Sequence, residues 1–225
     1  MIFLRKPKIA MKTHQSLQLA SCILVCAALA TGCAGTKNAD TVTYDLGSLG
    51  PATPPSRFMG AAYSDIVAPA TGPITVADVT SAAWLDNQTM QYRLSYTNDQ
   101  QPRPYATSRW SMPPPQLLSQ RIKARLAQSG RVVLSGADGA INIPTLRVEV
   151  EDFSQRFTSY AESTVKVAVR ASVFNGRLLV AQKHFEREQP APTPDAAGGA
   201  SGLASATDGL ISDMTTWLAS LSTKK

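Results

Sequence analysis

Asn175-Gly176 divides two stretches of strict alternation, and no helix accommodates either. Before it, Val165, Val167, Val169, Ala171 and Val173 alternate with Lys166, Arg170 and Ser172; after it, a return strand runs from Arg177 to about Glu188. A period of two lines one face of a strand with apolar side chains. Asn-Gly between two such runs is the strongest short-range hairpin signal. Upstream, Leu146, Val148 and Val150 alternate with Arg147, Glu149 and Glu151. The three strands make an antiparallel meander, and its apolar face must be covered.

Two helices supply the cover. Pro113-Pro114-Pro115 opens the first, since proline is tolerated in a first turn. Leu118, Ile122 and Leu126 form its apolar stripe, Leu117 and Arg125 flank it, and Gln120, Arg121 and Lys123 lie off it. Gly130 is placed to cap its C-terminus. The second helix carries Leu203, Leu210, Met214, Trp217 and Leu221 on one face, after a Pro/Ala/Gly stretch at 189–202 that reads as a loop. Further strands are expected at Val42–Leu46, Ile74–Val79, Met90–Tyr96, Tyr105–Trp110 and Val132–Leu134, the fourth as an edge because Pro102 and Pro104 precede it. The expected fold class is α+β: a two-layer sandwich of a mostly antiparallel or mixed sheet with both amphipathic helices on one face.

The N-terminus is a secretory signal. Arg5, Lys6, Lys8 and Lys12 precede the apolar run Leu17–Ala30, and no acid is present. The run is short for a membrane span, which needs about 20 apolar residues. It ends in Leu29-Ala30-Thr31-Gly32-Cys33, a lipoprotein box in which Cys33 takes the lipid and becomes the mature N-terminus. Leu19-Ala20-Ser21-Cys22 matches such a box letter for letter, but too few apolar residues precede it. Ordinary secretion with cleavage near Ala30 or Ala34, or a retained signal anchor, are the alternatives. The organisation expected is a signal at 1–32, a lipid-anchored tether at 33–41 and a single domain at 42–225. Gly47–Pro73 is a long loop or wrapping segment holding five prolines.

Processing alters the composition. The signal holds four of the 22 basic residues and none of the 16 acidic ones, leaving 18 against 16, a net charge of +2. No basic stripe remains for nucleic acid. All three cysteines lie at or before Cys33, so the mature chain has no disulfide. Only His184 survives of two histidines, which leaves no His-rich metal site and no Cys/His catalysis. No catalytic residue, metal or cofactor is expected beyond the covalent lipid on Cys33.

In order and spacing the chain resembles the ABC-type transport auxiliary lipoproteins, the PqiC/YmbA-like group. The resemblance runs from about Tyr44 to Leu221. It rests on Tyr44-Asp45-Leu46-Gly47, the Ile74 strand, Leu85-Asp86 before Met90-Gln91-Tyr92-Arg93, Arg109-Trp110 before the proline-started helix, the Asn175-Gly176 hairpin, and a last helix ending near Trp217-Leu218. It implies a non-enzymatic lipoprotein that serves an MCE-type lipid transport system, docking the MCE-domain periplasmic component at the periplasmic face of the outer membrane. Partners implied are the membrane through acyl chains and the MCE-domain protein, with self-association as a further option. Arg93, Arg109 and Trp110 are the candidate partner-binding residues. The rival functions are a lipid-binding module, with cargo held between the layers by residues such as Leu118, Ile122, Met214 and Trp217, and an assembly factor of the outer-membrane envelope.

Overall fold

The structure, a computed structural model, describes residues 40–50 and 72–222, with only the backbone of Ser222. The signal, Cys33, most of the tether and most of the proline-rich segment lie outside the described residues. Thr41 onward forms one compact unit.

Among the described residues, nine strands and two α-helices make an α+β fold with a mixed sheet. The strands are β1 (Val42–Tyr44), β2 (Ile74–Val76), β3 (Thr80–Ser81), β4 (Thr89–Leu94), β5 (Asn98–Trp110), β6 (Val133–Ser135), β7 (Thr145–Phe157), β8 (Ser163–Asn175) and β9 (Leu178–Pro190). The helices are α1 (Pro114–Gln128) and α2 (Ala196–Ser222). The pivot is β7. One of its edges pairs with β8 along its length. The other is shared in succession by β2 at its start, β3 at its middle and β4 at its end, all parallel to it. Beyond β4 lie β5 and β1, beyond β2 lies β6, and β9 closes the β8 side.

The β7–β8–β9 meander forms as its alternation requires, with two local differences. The hairpin loop is Gly176-Arg177, one residue later than Asn175-Gly176, because Asn175 pairs with Leu178. Gly176 has φ +58 and Arg177 does not have positive φ, the requirement of a turn with glycine first in the loop. In β7, a bulge between Val150 and Asp152 reverses the alternation. Leu146, Val148 and Val150 face the core before it; Phe153, Gln155 and Phe157 face the core after it. Periodicity alone therefore stopped at Glu151, halfway along the strand.

Helix α1 ends as expected on Gly130, whose φ is +83. The Gly130 N–H donates to Ala127 O at 3.0 Å and the Arg131 N–H to Leu126 O at 3.3 Å, the paired bonds of a Schellman cap. Helix α2 departs from expectation. It begins at Ala196, inside the stretch read as loop, and four glycines lie within it. Asp195 caps it: its carboxylate accepts the Gly198 N–H at 2.7 Å and the Thr193 hydroxyl at 2.7 Å. Those two bonds hold its carboxyl below the ordinary carboxylate value. Glycine is normally a poor helix former, but here there is no room for a side chain. A Cβ on Gly199 would lie 2.1 Å from Gln155 Oε1, and one on Gly202 would lie 3.0 Å from Val165 Cγ1. Packing against the sheet overrides propensity. Replacing Asp195 by alanine should cost about 1 kcal/mol, the ordinary value of an N-cap, measured by urea denaturation; an unchanged midpoint would show the cap to be dispensable.

The core lies between the helices and the sheet. Leu118, Ile122, Leu126, Leu203, Leu210 and Met214 are buried, as the two helical stripes predict. Arg121 is buried as well, although it lies off the stripe of α1. Its guanidinium and that of Arg125 both clasp Asp208 on α2, each through two hydrogen bonds of 2.6–3.1 Å. The remaining donors reach the loop after β1: Arg121 Nη1 donates to Gly47 O at 2.9 Å and Arg125 Nη1 to Gly50 O at 3.0 Å. One carboxylate thus joins both helices to the segment that leads into the proline-rich stretch.

Candidate docking surfaces

Arg93, Arg109 and Trp110 occupy different environments. On β4, Met90 faces α2, within 3.3 Å of where a Gly199 Cβ would be, so Arg93, three residues on, faces away from the helices. Arg93 is half-buried: its guanidinium lies 5.9 Å from the centre of the Trp84 ring, and Nη1 donates to Asp99 O at 2.8 Å. Arg109 is exposed and makes no ion pair among the described residues. Trp110 alternates with it and is only 2 % exposed, with its ring 5.3 Å from Phe153. A docking anchor must be reachable, and Trp110 is not. Its role is to fill the core against Phe153 of β7. Of the three, the surface holds Arg109 and, in part, Arg93. Cys33 lies outside the described residues.

His184 lies on the open face of the sheet in a ladder of charges across three strands. Its Nδ1 is 3.1 Å from Glu151 and its Nε2 is 3.6 Å from Glu186. Arg170 meets Glu149 at 3.2 Å and Glu151 at 3.0 Å, and Lys166 meets Glu186 at 2.7 Å. Opposite charges facing each other across strands fix register, and exposed pairs of this kind contribute at most about 1 kcal/mol each. His184 is partnered through both ring nitrogens. Among the described residues no group of His, Cys, Asp and Glu could hold a metal ion.

A lipid held between the layers would need space there, and the layers are closed. Leu118, Ile122 and Met214 are at most 1 % exposed, and Trp217 packs edge-on against Phe185 at 5.6 Å. Gln155, fully buried, fills the remaining polar gap: it accepts the Tyr105 hydroxyl at 2.8 Å and donates to Ser163 Oγ at 2.8 Å. Burial pushes the Tyr105 phenol up, so it remains a donor there. Sequence reading gave no sign of Gln155, which appears polar in a strand whose register had changed. Two clefts are at the surface instead. One, of about 310 Å³, lies between Leu46 and Gly47 on one side and Leu117 and Arg121 on the other; the second, of about 360 Å³, lies between Thr158–Thr164 and Pro190–Pro194. Neither is lined by the residues proposed for lipid.

Among the described residues no helix is long and apolar enough to cross a membrane. Two solved structures share the fold. A Xanthomonas campestris protein of the DUF330 family is 16 % identical, with TM-score 0.59 over 67 % of this chain and 85 % of its own. An uncharacterized protein is 17 % identical, with TM-score 0.61 over 80 % of this chain and 99 % of its own. No curated protein matches. Residues 60–215 match a described family over well more than half of the chain. The chain belongs to the ABC-type transport auxiliary lipoprotein component family.

Proposed function

We propose that this chain is a lipid-anchored accessory of an MCE-type ABC transport system. It docks the MCE-domain periplasmic component at the periplasmic face of the outer membrane, for lipid or other hydrophobic cargo. Family membership over residues 60–215 carries the reading. The role is mechanical and not enzymatic: Cys33 supplies the anchor, the tether supplies reach, and the folded domain supplies the docking surface. The packed interlayer supports docking over cargo storage, since it leaves no room for an acyl chain among the core residues. A sheet face laced with paired charges supports a rigid scaffold.

Replacing Cys33 by alanine should move the protein from the membrane pellet to the soluble periplasmic fraction, because permanent anchoring depends on the acyl chains. Retention in the pellet at wild-type level would place the anchor elsewhere. Affinity purification of the wild-type chain from membranes should recover an MCE-domain protein. Recovery of other envelope proteins alone would exclude the docking reading and favour an assembly factor.

A further inference from the structure

Apart from Val42 on the edge strand β1, the exposed large hydrophobic residues sort to two ends of the sheet. Val132, Ile141, Leu178, Leu179 and Val180 gather at one, between 47 % and 82 % exposed. Topology puts them there. β2, β6 and β7 are parallel and start at this end, so Val132 before β6 and Ile141 before β7 both lie on it. β8 finishes and β9 starts there, which adds the hairpin tip. Helix α2 does not cover the tip. It passes Gln189 at Gly202, Arg187 at Asp213 and Phe185 at Trp217, and ends with Leu178–Val180 still in solvent.

At the other end, Tyr96 and Tyr160 meet at 5.1 Å on the turns after β4 and β7. Tyrosine has an apolar body and a polar tip, which suits a lipid headgroup layer. The edge strand β1 is parallel to β5, with Val42 opposite Ser108 and Tyr44 opposite Trp110.

Charge at the aliphatic end is mostly positive, with Arg147 and Arg177 beside the carboxylate of Asp138. Arg147 lies over the Phe174 ring at 4.7 Å, and Arg177 is in the hairpin loop; neither has an ion pair among the described residues. The nearby carboxylate of Asp138 is taken by the Ser135 N–H at 2.7 Å. We infer that the end formed by the β8–β9 hairpin tip and the loops before β6 and β7 is the protein-docking surface, and that the partner presents an apolar patch bordered by carboxylates. This rests on the docking function proposed above and identifies its surface.

The test uses the full lipidated chain in cells, with p-benzoylphenylalanine placed at position 178, 141 or 160 and adducts probed for the MCE-domain protein. Adducts from 178 and 141 and none from 160 are expected. An adduct from 160 and none from 178 would keep the docking function and overturn this surface. Adducts at 178 with lipid alone, or with a second copy of this chain alone, would also overturn it. If the wild-type chain does not co-purify with an MCE-domain protein, the docking function itself falls. As an independent measurement, Leu178→Asp with Leu179→Asp should lower recovery of that protein at least tenfold. Both positions are exposed, so the thermal melt should be unchanged; unchanged recovery with an unchanged melt would overturn the surface.

Discussion

Asp208→Asn should destabilise the domain by about 2–3 kcal/mol, between a surface pair and a fully buried one, because the clasp is part-buried, with Asp208 26 % exposed. At about 2–4 °C per kcal/mol for a domain of this size, the melting temperature should fall by about 5–10 °C. Asp208 accepts four hydrogen bonds from two guanidiniums, and Arg121 is only 7 % exposed. Asparagine keeps the shape but loses the charge, and it turns an NH₂ group toward donors. Two like charges then face each other with nothing between them, and the loop at Gly47–Gly50 loses the arginine geometry that holds it. Arg125→Ala should cost less, because it leaves the Arg121–Asp208 pair intact. A loss under about 1 kcal/mol for Asp208→Asn would mean that the clasp is solvated and structurally idle.

The same residue sets an acid limit. Burial pushes the Asp208 carboxyl up, but hydrogen bonds from Arg121 and Arg125 and their two charges outweigh burial and hold it below the ordinary value. A carboxyl depressed on folding contributes stability that is complete above its unfolded pKa of about 3.9 and is lost as pH falls through the folded value. Stability should therefore decline below about pH 4, and the decline should be shallower in Asp208→Asn, measured by urea midpoints across pH 2–6. An identical acid slope in both proteins would assign the effect to other carboxylates.

Gly199→Ala should cost about 2–3 kcal/mol, as overpacking in a closed core does. The sign decides the matter, since alanine in a helix interior normally gains about 1 kcal/mol over glycine. The new Cβ would lie 2.1 Å from Gln155 Oε1 and 2.8 Å from its Cδ. Gln155 cannot move aside cheaply: it is fully buried and bonded to Tyr105 and Ser163. Gly209→Ala is the control. Its Cβ would meet the end of the Arg187 side chain at 2.9 Å, and that guanidinium is exposed enough to swing away. The control should stay within about 1 kcal/mol of wild type. Equal effects at both positions in a urea titration would refute the packing argument.

Much of the architecture was legible because periodicity is local. The alternation at Val165–Val173 and the stripe Leu118–Ile122–Leu126 each report one face of one element, so the meander and α1 follow from neighbours alone. The start of α2 carried a readable signal as well, an aspartate at 195 followed by alanines, but four glycines obscured it. Gly199 and Gly202 are crowded by Gln155 and Val165 on other strands, which no local window includes. The second half of β7 was lost for a similar cause: one bulged residue inverts which face is apolar.

The candidate surface residues separate in the same way. Sequence placed Arg109 and Trp110 side by side as candidates for partner binding, with core as the usual reading of Trp110; packing against Phe153 buries Trp110, and Arg109 is exposed. Arg121 looked like a residue of the solvated face of α1, and a partner 87 residues away on another helix makes it structural. The amino-acid sequence by itself determined most of the elements and the helix-covered sheet, since each depends on spacing within one segment. Tertiary structure alone decided which charges are buried, which glycines are indispensable and which end of the sheet is left apolar, because these depend on residues that meet only when the chain has closed on itself.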